Sequence, residues 1–308
     1  MPHIVVVGSL NMDLVVETPT IPLAGETVLG KNFATFPGGK GANQAVAAAR
    51  LGAQVSLIGR VGKDAFGDQL LASARADGIN VTHVGRDDTA ATGVAMIVVD
   101  ENGQNSIAVA SGANFCLTAD HVRVAWAALK KVDLLVMPLE TPPDTIATAV
   151  ALAQESGATV VLNPAPARQV SAQILANVDV LVPNEPETAQ LTGMPVSTPD
   201  ESQEAARQLL ALGVGSVVLT LGSRGALVLD GETNDFTMVP AREVKVVDTT
   251  AAGDSFVGGL AVALGEGKSL VEAAQFANAV GALAVTRQGA QPGMPARNEV
   301  ETLLSAKE

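Results

Sequence analysis

The sequence predicts an α/β fold in three layers, with helices on both faces of a central, mostly parallel sheet and a small β-sheet lid over one edge. Three observations carry this. Short β-branched runs alternate with Ala-rich stretches of helical length over most of the chain. The runs are continuously apolar, as strands covered on both faces are. Two segments with Pro, Gly and Asn turns break the alternation and supply the lid.

Taken in order, His3–Gly8 reads as the first strand and Gly41–Leu51, dense in alanine, as the first helix. Gln54–Arg60 is strand and Asp68–Asp77 helix. The pattern repeats through Leu134–Met137 (strand), Asp144–Glu155 (helix), Thr159–Asn163 (strand) and Ala172–Ala176 (short helix). It continues through Val178–Val182 (strand), Glu201–Leu212 (helix) and Ser216–Thr220 (strand). Ala226–Leu229 adds a strand, Glu243–Val247 an extended run, and Phe256–Leu264 and Leu270–Thr286 two helices. Leu14–Val16, Thr27–Leu29 and Asn32–Thr35 read as short strands. Thr92–Val99 and Gln104–Ala110 read as a hairpin turned at Asp100–Gly103. These pieces do not suit a parallel sheet, so about 14–35 and 92–110 are assigned to the lid. No internal repeat and no low-complexity linker is present, and residues 1–308 are expected to form one domain.

Composition narrows the function. At 308 residues the chain can bury a substantial core. Hydrophobic residues are 47% and mean hydropathy is +0.30. Yet the apolar runs are short, none near the roughly 18 residues that span a bilayer. The first strand-like run begins at His3, leaving no room for a secretory signal, and Cys116 is the single cysteine. A cytoplasmic protein without membrane contact is expected. Net charge is −13, from 32 acidic and 19 basic residues, which disfavours nucleic-acid binding. Aromatics are 3% with no Tyr, so a small polar ligand must be held by hydrogen bonds rather than stacking. His3, His83 and His121 are scattered and suggest no zinc site.

The motif richest in chemistry is Asp248-Thr-Thr-Ala-Ala-Gly-Asp254, small residues opening a helix and ending in a carboxylate. Backbone N–H groups and the helix dipole there suit a phosphoryl group, and Asp254 can take a proton from an attacking hydroxyl. Pro37-Gly-Gly-Lys-Gly-Ala-Asn43-Gln permits close backbone approach and offers Lys40 and Asn43, or is a plain Gly-rich helix entry. Asn11 and Asp13 fall beyond the first strand, where α/β sheets bind ligands, although an Asx turn competes. Asn184-Glu-Pro-Glu187 can position Mg²⁺ near a polyphosphate or merely cap a helix. Thr220-Leu-Gly-Ser-Arg-Gly225 can wrap a nucleotide or be a tight turn. Neither a P-loop nor a G-x-G-x-x-G is present.

Together these pieces resemble the ribokinase-like carbohydrate kinases, the PfkB family. The stretch 38–44 matches the family's N-terminal motif and 248–259 its C-terminal one. Asn163-Pro-Ala-Pro-Ala167, Asn184–Glu187 and Thr286–Pro292 match in between and in order, so the resemblance covers residues 3–304. It implies a ribokinase-like αβα domain and ATP-dependent transfer to a sugar hydroxyl. The first expectation is the primary 5-hydroxyl of D-ribose. Another furanose (deoxyribose or a nucleoside) or a non-catalytic sensor is the alternative. Asp254 would be the base, with Ala251, Ala252 and Gly253 supplying N–H groups to the transferred charge. Asn11, Asp13, Gly39, Lys40, Asn43 and Glu140 would bind the sugar. Asn184 would face the ATP phosphates and Glu187 would organise Mg²⁺ through water. Thr220, Gly222, Ser223, Gly225 and Asn278 would line the nucleotide, Asn278 standing where the family's closest members carry His. A monovalent cation, K⁺, would sit among Asp248, Thr250, Ala284, Arg287, Gly289 and Gly293, with Gly293 where Ser is common. Relatives also pair through the lid, implying a homodimer.

Overall fold

Two sheets organise the chain, one of nine strands and one of four. The computed structural model describes residues 1–306. In chain order the strands are β1 (His3–Val7), β2 (Asn11–Glu17), β3 (Asn32–Gly38), β4 (Gln54–Gly62), β5 (Val84–Asp87), β6 (Gly93–Val99) and β7 (Asn105–Ala110). β8 (Leu134–Met137), β9 (Thr159–Leu162), β10 (Val180–Leu181), β11 (Ser216–Thr220), β12 (Ala226–Leu229) and β13 (Phe236–Val239) follow. The large sheet runs β13-β12-β11-β10-β9-β8-β1-β4-β5. It is parallel from β11 to β5, and β12 and β13 close one edge antiparallel.

The apolar run of β1 shows why both faces are covered. Ile4 and Val6 enter one buried cluster with the helices Lys40–Arg50, Ala65–Ala76, Ala252–Gly265 and Leu270–Ala284. Val5 and Val7 enter a second cluster with the helices Ala119–Ala127, Pro143–Ser156 and Pro199–Ala211. Alternate side chains of one strand thus feed two cores, which gives the three layers. On the first face small residues bring two helices into close contact. A Cβ at Gly258 would lie 2.6 Å from Ala47 Cβ and 2.9 Å from Gln44 O. That approach puts the start of helix Ala252–Gly265 against the start of helix Lys40–Arg50.

The small sheet has the order β3-β2-β6-β7. It begins at Asn11, three residues earlier than the lid expected from Leu14, because β2 takes up the chain almost directly from β1. One sequence expectation fails: Thr27–Leu29 joins no ladder. Glu243–Val247, read as an extended run, likewise lies outside the strands. The strand expected at Val178–Val182 pairs only over Val180–Leu181. The helix Ala119–Ala127 and the strands β5 and β13 were not foreseen, being short and partly polar. No helix among the described residues is long and apolar enough to cross a membrane.

Asp64 ties the small sheet to the large body. It caps the helix Ala65–Ala76 by accepting from Gly67 N at 2.9 Å. It also accepts from Thr92 N at 2.8 Å and Thr92 Oγ1 at 2.7 Å, just before β6. Burial works to raise its pKa, but these donors outweigh it and hold the carboxyl below the ordinary range. A depressed carboxylate contributes stability at neutral pH that is lost as the pH falls through its folded-state pKa. Asp64→Ala should therefore lower stability at pH 7 by about 1–2 kcal/mol in denaturant unfolding. The gap should narrow toward about pH 3, and a pH-independent gap would contradict the assignment.

Candidate active site

The carboxyl ends of β1, β8, β9, β10 and β11 lie on one edge of the large sheet, and each leads into a polar residue at the site. β1 leads to Ser9, Asn11 and Asp13, β8 to Glu140, β9 to Asn163, β10 to Asn184, and β11 ends at Thr220.

The carboxylate Asp254 stands in the first turn of helix Ala252–Gly265, only 6% exposed. Ala251, the helix N-cap, has φ 59° and ψ 17°, a left-handed conformation that is strained for alanine. This sharp entry aims the helix N-terminus back toward the sheet edge. The N–H groups of Ala251 and Gly253 meet no protein acceptor among the described residues, whereas that of Ala252 is directed at Thr249 O, 3.2 Å away. Of the three donors expected to hold charge, Ala252 is thus already engaged. Asp254 accepts from Asn43 Nδ2 through Oδ2 at 3.0 Å and from Gln44 Nε2 through Oδ1 at 3.1 Å.

On the other side, Glu140 accepts from Ser9 Oγ at 2.5 Å and from Lys40 N at 3.1 Å. Gly39, at φ 88°, turns the chain into helix Lys40–Arg50 in a conformation that side chains avoid. Gly38 leaves room for the Asp13 carboxylate, which a Cβ there would strike. Asn11 is oriented by Asn114, whose Nδ2 donates to Asn11 Oδ1 at 2.8 Å while its Oδ1 accepts from Leu10 N at 2.9 Å. Asn114 carried no motif and was missed in the sequence, as was Ser9.

Lys40 is the cation of this cluster. Asp254 foremost, then Glu140, Glu187 and Asp13, raise its pKa against the opposing effect of burial. Asp13 is pushed up to about 7 by burial first, then by the charges of Glu140 and Asp254, with Lys40 opposing. Burial also pushes Glu187 up, against hydrogen bonds from Asn184 and the nearby Lys40. A cleft of about 600 Å³ separates Asp13, Val15 and Ile107 of the small sheet from Thr249, Thr250 and Gln288 of the large body.

The expected nucleotide residues fall in two groups. Asn184 caps helix Glu185–Thr192, accepting from Glu187 N at 2.8 Å, while its own N–H donates to Glu187 Oε2 at 2.9 Å. The capping role weighed against a ligand role is therefore real. Thr220 bridges to Asn184, and Arg224 pairs with Glu185 at 2.5 Å, so Thr220, Gly222, Ser223 and Gly225 lie beside this helix start. Asn278 stands apart, its Nδ2 donating to Val239 O at 3.1 Å and Pro240 O at 3.2 Å.

Of the residues expected around K⁺, Asp248 accepts from Thr250 N at 2.9 Å, Thr250 Oγ1 at 2.6 Å and Gly289 N at 2.8 Å. Burial works to raise its pKa, but these donors lower it. The carbonyls of Ala284 and Arg287 converge on Gly293, where a Cβ would lie 3.0 and 3.4 Å from them. No cluster of three or more His, Cys, Asp or Glu able to hold a metal occurs among the described residues.

A buried carboxylate in the first turn of a helix, with unpaired N–H groups before it, at the strand-end edge of an α/β sheet, is the arrangement a small-molecule phosphotransferase needs. The model for pfkB family carbohydrate kinases matches residues 1–297, and the chain belongs to that family. It is 41% identical over 299 residues to the ribokinase of Haemophilus influenzae, covering 97% of each chain. It is 38% identical over 306 residues to a deoxyribokinase of Salmonella typhi, covering 99% of each. Among solved structures, the Arabidopsis thaliana ribokinase complexed with ribose and ATP matches at a TM-score of 0.91, with 33% identity and 99% of each chain covered.

The raised Asp13 has a testable consequence. A carboxyl whose folded pKa exceeds its unfolded value contributes stability below the unfolded pKa, and this is lost as pH rises through about 7. Without sugar, Asp13→Asn should raise Tm at pH 8 by about 2–4 °C, with the gain vanishing below about pH 4, under the unfolded carboxyl pKa. Calorimetry at the two pH values checks this, and equal shifts at both would rule it out.

Proposed function

We propose that the protein phosphorylates D-ribose, moving the γ-phosphoryl group of ATP to the primary 5-hydroxyl to give D-ribose 5-phosphate and ADP. The observation that carries this is Asp254, buried at the helix N-terminus with each carboxylate oxygen held by one amide. The 5-hydroxyl gives its proton to Asp254 as its oxygen bonds to the γ-phosphorus, and the bond to the ADP oxygen breaks. The N–H groups of Ala251 and Gly253, with that of Ala252 as its contact to Thr249 opens, meet the developing charge. Asn11, Asp13, Gly39, Lys40, Asn43 and Glu140 bind the sugar hydroxyls, and the small sheet closes over them to exclude water. The similarity to ribokinases supports this reading.

On the nucleotide side, Thr220, Gly222, Ser223 and Gly225 line ATP and Asn184 faces its phosphates. Glu187 suits Mg²⁺ held through water, being a buried carboxylate next to both Asn184 and the charge of Lys40. When bound, that cation offsets the charge of the triphosphate. Asn278 reaches the base only if it leaves its two backbone partners. A monovalent cation suits the 248–293 region because its donors are carbonyls and one carboxylate, a set of low charge and loose geometry. Asp248, Thr250 and Gly289 form one side, and Ala284 and Arg287 the other, around Gly293. Exposed Phe33 and Met96, on the face of the small sheet away from the cleft, suit a homodimer through that sheet.

Deoxyribose is the second reading, favoured by the deoxyribokinase similarity. A non-catalytic sensor would have no need of Asp254. A coupled ADP assay over pentoses, deoxyribose, hexoses and nucleosides decides among these, with the highest kcat/KM expected for D-ribose. Asp254→Asn should retain nucleotide binding and lower kcat by roughly 10²–10⁴-fold. Near-wild-type kcat would remove Asp254 from the mechanism. Exchanging K⁺ for Na⁺ at matched ionic strength should reduce the rate, and equal rates would remove the cation site.

A further inference from the structure

Asp254 is held by more than its immediate neighbours. Gln44 is fully buried, and its Nε2 donates both to Asp254 Oδ1 and to Asn163 Oδ1, each at 3.1 Å. Asn163 in turn donates from Nδ2 to Val182 O at 2.9 Å. The polarity of this chain is fixed from outside. A backbone carbonyl can only accept, so Asn163 must present its Nδ2 to Val182 and its Oδ1 to Gln44. Gln44 must then present Nε2, and its second N–H meets the carboxylate of Asp254. On the opposite side Asn43 donates to Asp254 Oδ2 while its Oδ1 accepts from Gln291 Nε2 at 3.1 Å. The carboxylate is clamped between two amide chains whose directions cannot reverse.

Gln44 Oε1 has no hydrogen-bond partner and is fully enclosed. An unpaired buried acceptor destabilises a fold, and an apolar side chain of the same shape would avoid it. Turning the amide over would set Oε1 against two acceptors, which is worse. Packing alone therefore does not account for Gln44.

We infer that Gln44, anchored by Asn163, is a positioning residue that fixes the plane of the Asp254 carboxylate and keeps its free edge turned to the sugar hydroxyl. The inference rests on Asp254 being the base. It separates orientation from sugar binding, because Gln44 is enclosed by Asp254 and Asn163 rather than facing the cleft.

The test pairs Gln44→Met, which keeps the shape and removes both donors, with Gln44→Glu, which keeps the shape and places a carboxylate opposite Asp254. Gln44→Met should lower kcat about tenfold or more with KM for ATP within about twofold in protein that remains folded, with Tm lowered by a few degrees at most because Asn163 Oδ1 and Asp254 Oδ1 lose a donor. Gln44→Glu should lower kcat further at pH 8. A Gln44→Met enzyme with wild-type kcat, or one whose loss of rate is accounted for by a loss of folded protein at the assay temperature, would overturn the inference. If the wild-type protein turns over no sugar in the same assay, the kinase reading falls and the inference falls with it. Wild-type turnover with an unaffected variant sinks the inference alone.

Discussion

The close packing of two helix starts is the constraint on which the site depends. Helix Ala252–Gly265 brings Asp254, helix Lys40–Arg50 brings Asn43 and Gln44, and the hydrogen bonds between them need the helices nearer than ordinary side chains allow. Gly258 against Ala47 and the carbonyl of Gln44 provides that approach. The alanine-rich composition of the first helix is thus more than helix propensity, since larger residues would hold the two chains apart. Asp254 would then lose its amide donors, and the clamp on its carboxylate would open. The same contact places the unpaired N–H groups of Ala251 and Gly253 at the sheet edge.

Electrostatics sets the second constraint. The chain carries net charge −13, and the site gathers Asp13, Glu140, Glu187 and Asp254 around one ammonium, Lys40. Burial, and then the charges of Glu140 and Asp254 only partly offset by Lys40, push Asp13 up to about 7. Such an arrangement costs stability in the free protein and is relieved when hydroxyl donors reach the carboxylates. An acidic cluster is also a poor host for a free triphosphate, so anion binding must fall to backbone N–H groups and bound cations.

Much of this was legible in the sequence where one short segment does one job. The continuous apolar run of β1, the Gly-Gly-Lys-Gly turn and the small residues before Asp254 each state their local geometry. The layered fold follows from periodicity, and the lid from the segments that break it. What was not legible joins distant positions. Gln44 meets Asn163 across 119 positions and Asn43 meets Gln291 across 248, and no local pattern marks either pair. Asn114 likewise orients Asn11 across 103 positions. The misread strand has the same origin. Thr27–Leu29 has strand-type residues, but a strand needs a partner, and pairing is a tertiary fact. Val247, in the run read as extended, donates to Val285 O at 2.7 Å, tying the loop before Asp248 to the end of helix Leu270–Ala284.

That tie bears on how the site can move. The loop at 247–250 is anchored through Val285 and through Asp248 to Gly289, so it is fixed to the large body. Asp13, by contrast, sits on β2 of the small sheet, which joins the body through the chain from β1, through β3 running by Gly39 into helix Lys40–Arg50, and through the Asn114 and Asp64–Thr92 hydrogen bonds. Asp254 and the N–H groups before it therefore sit on the large body, and the Asp13 carboxylate on the small sheet. The distance between the two sheets sets the separation of Asp13 from the charges that shift its pKa, Glu140, Asp254 and Lys40. Protonation of Asp13 and the posture of the small sheet are accordingly coupled through the same few ångströms of the cleft.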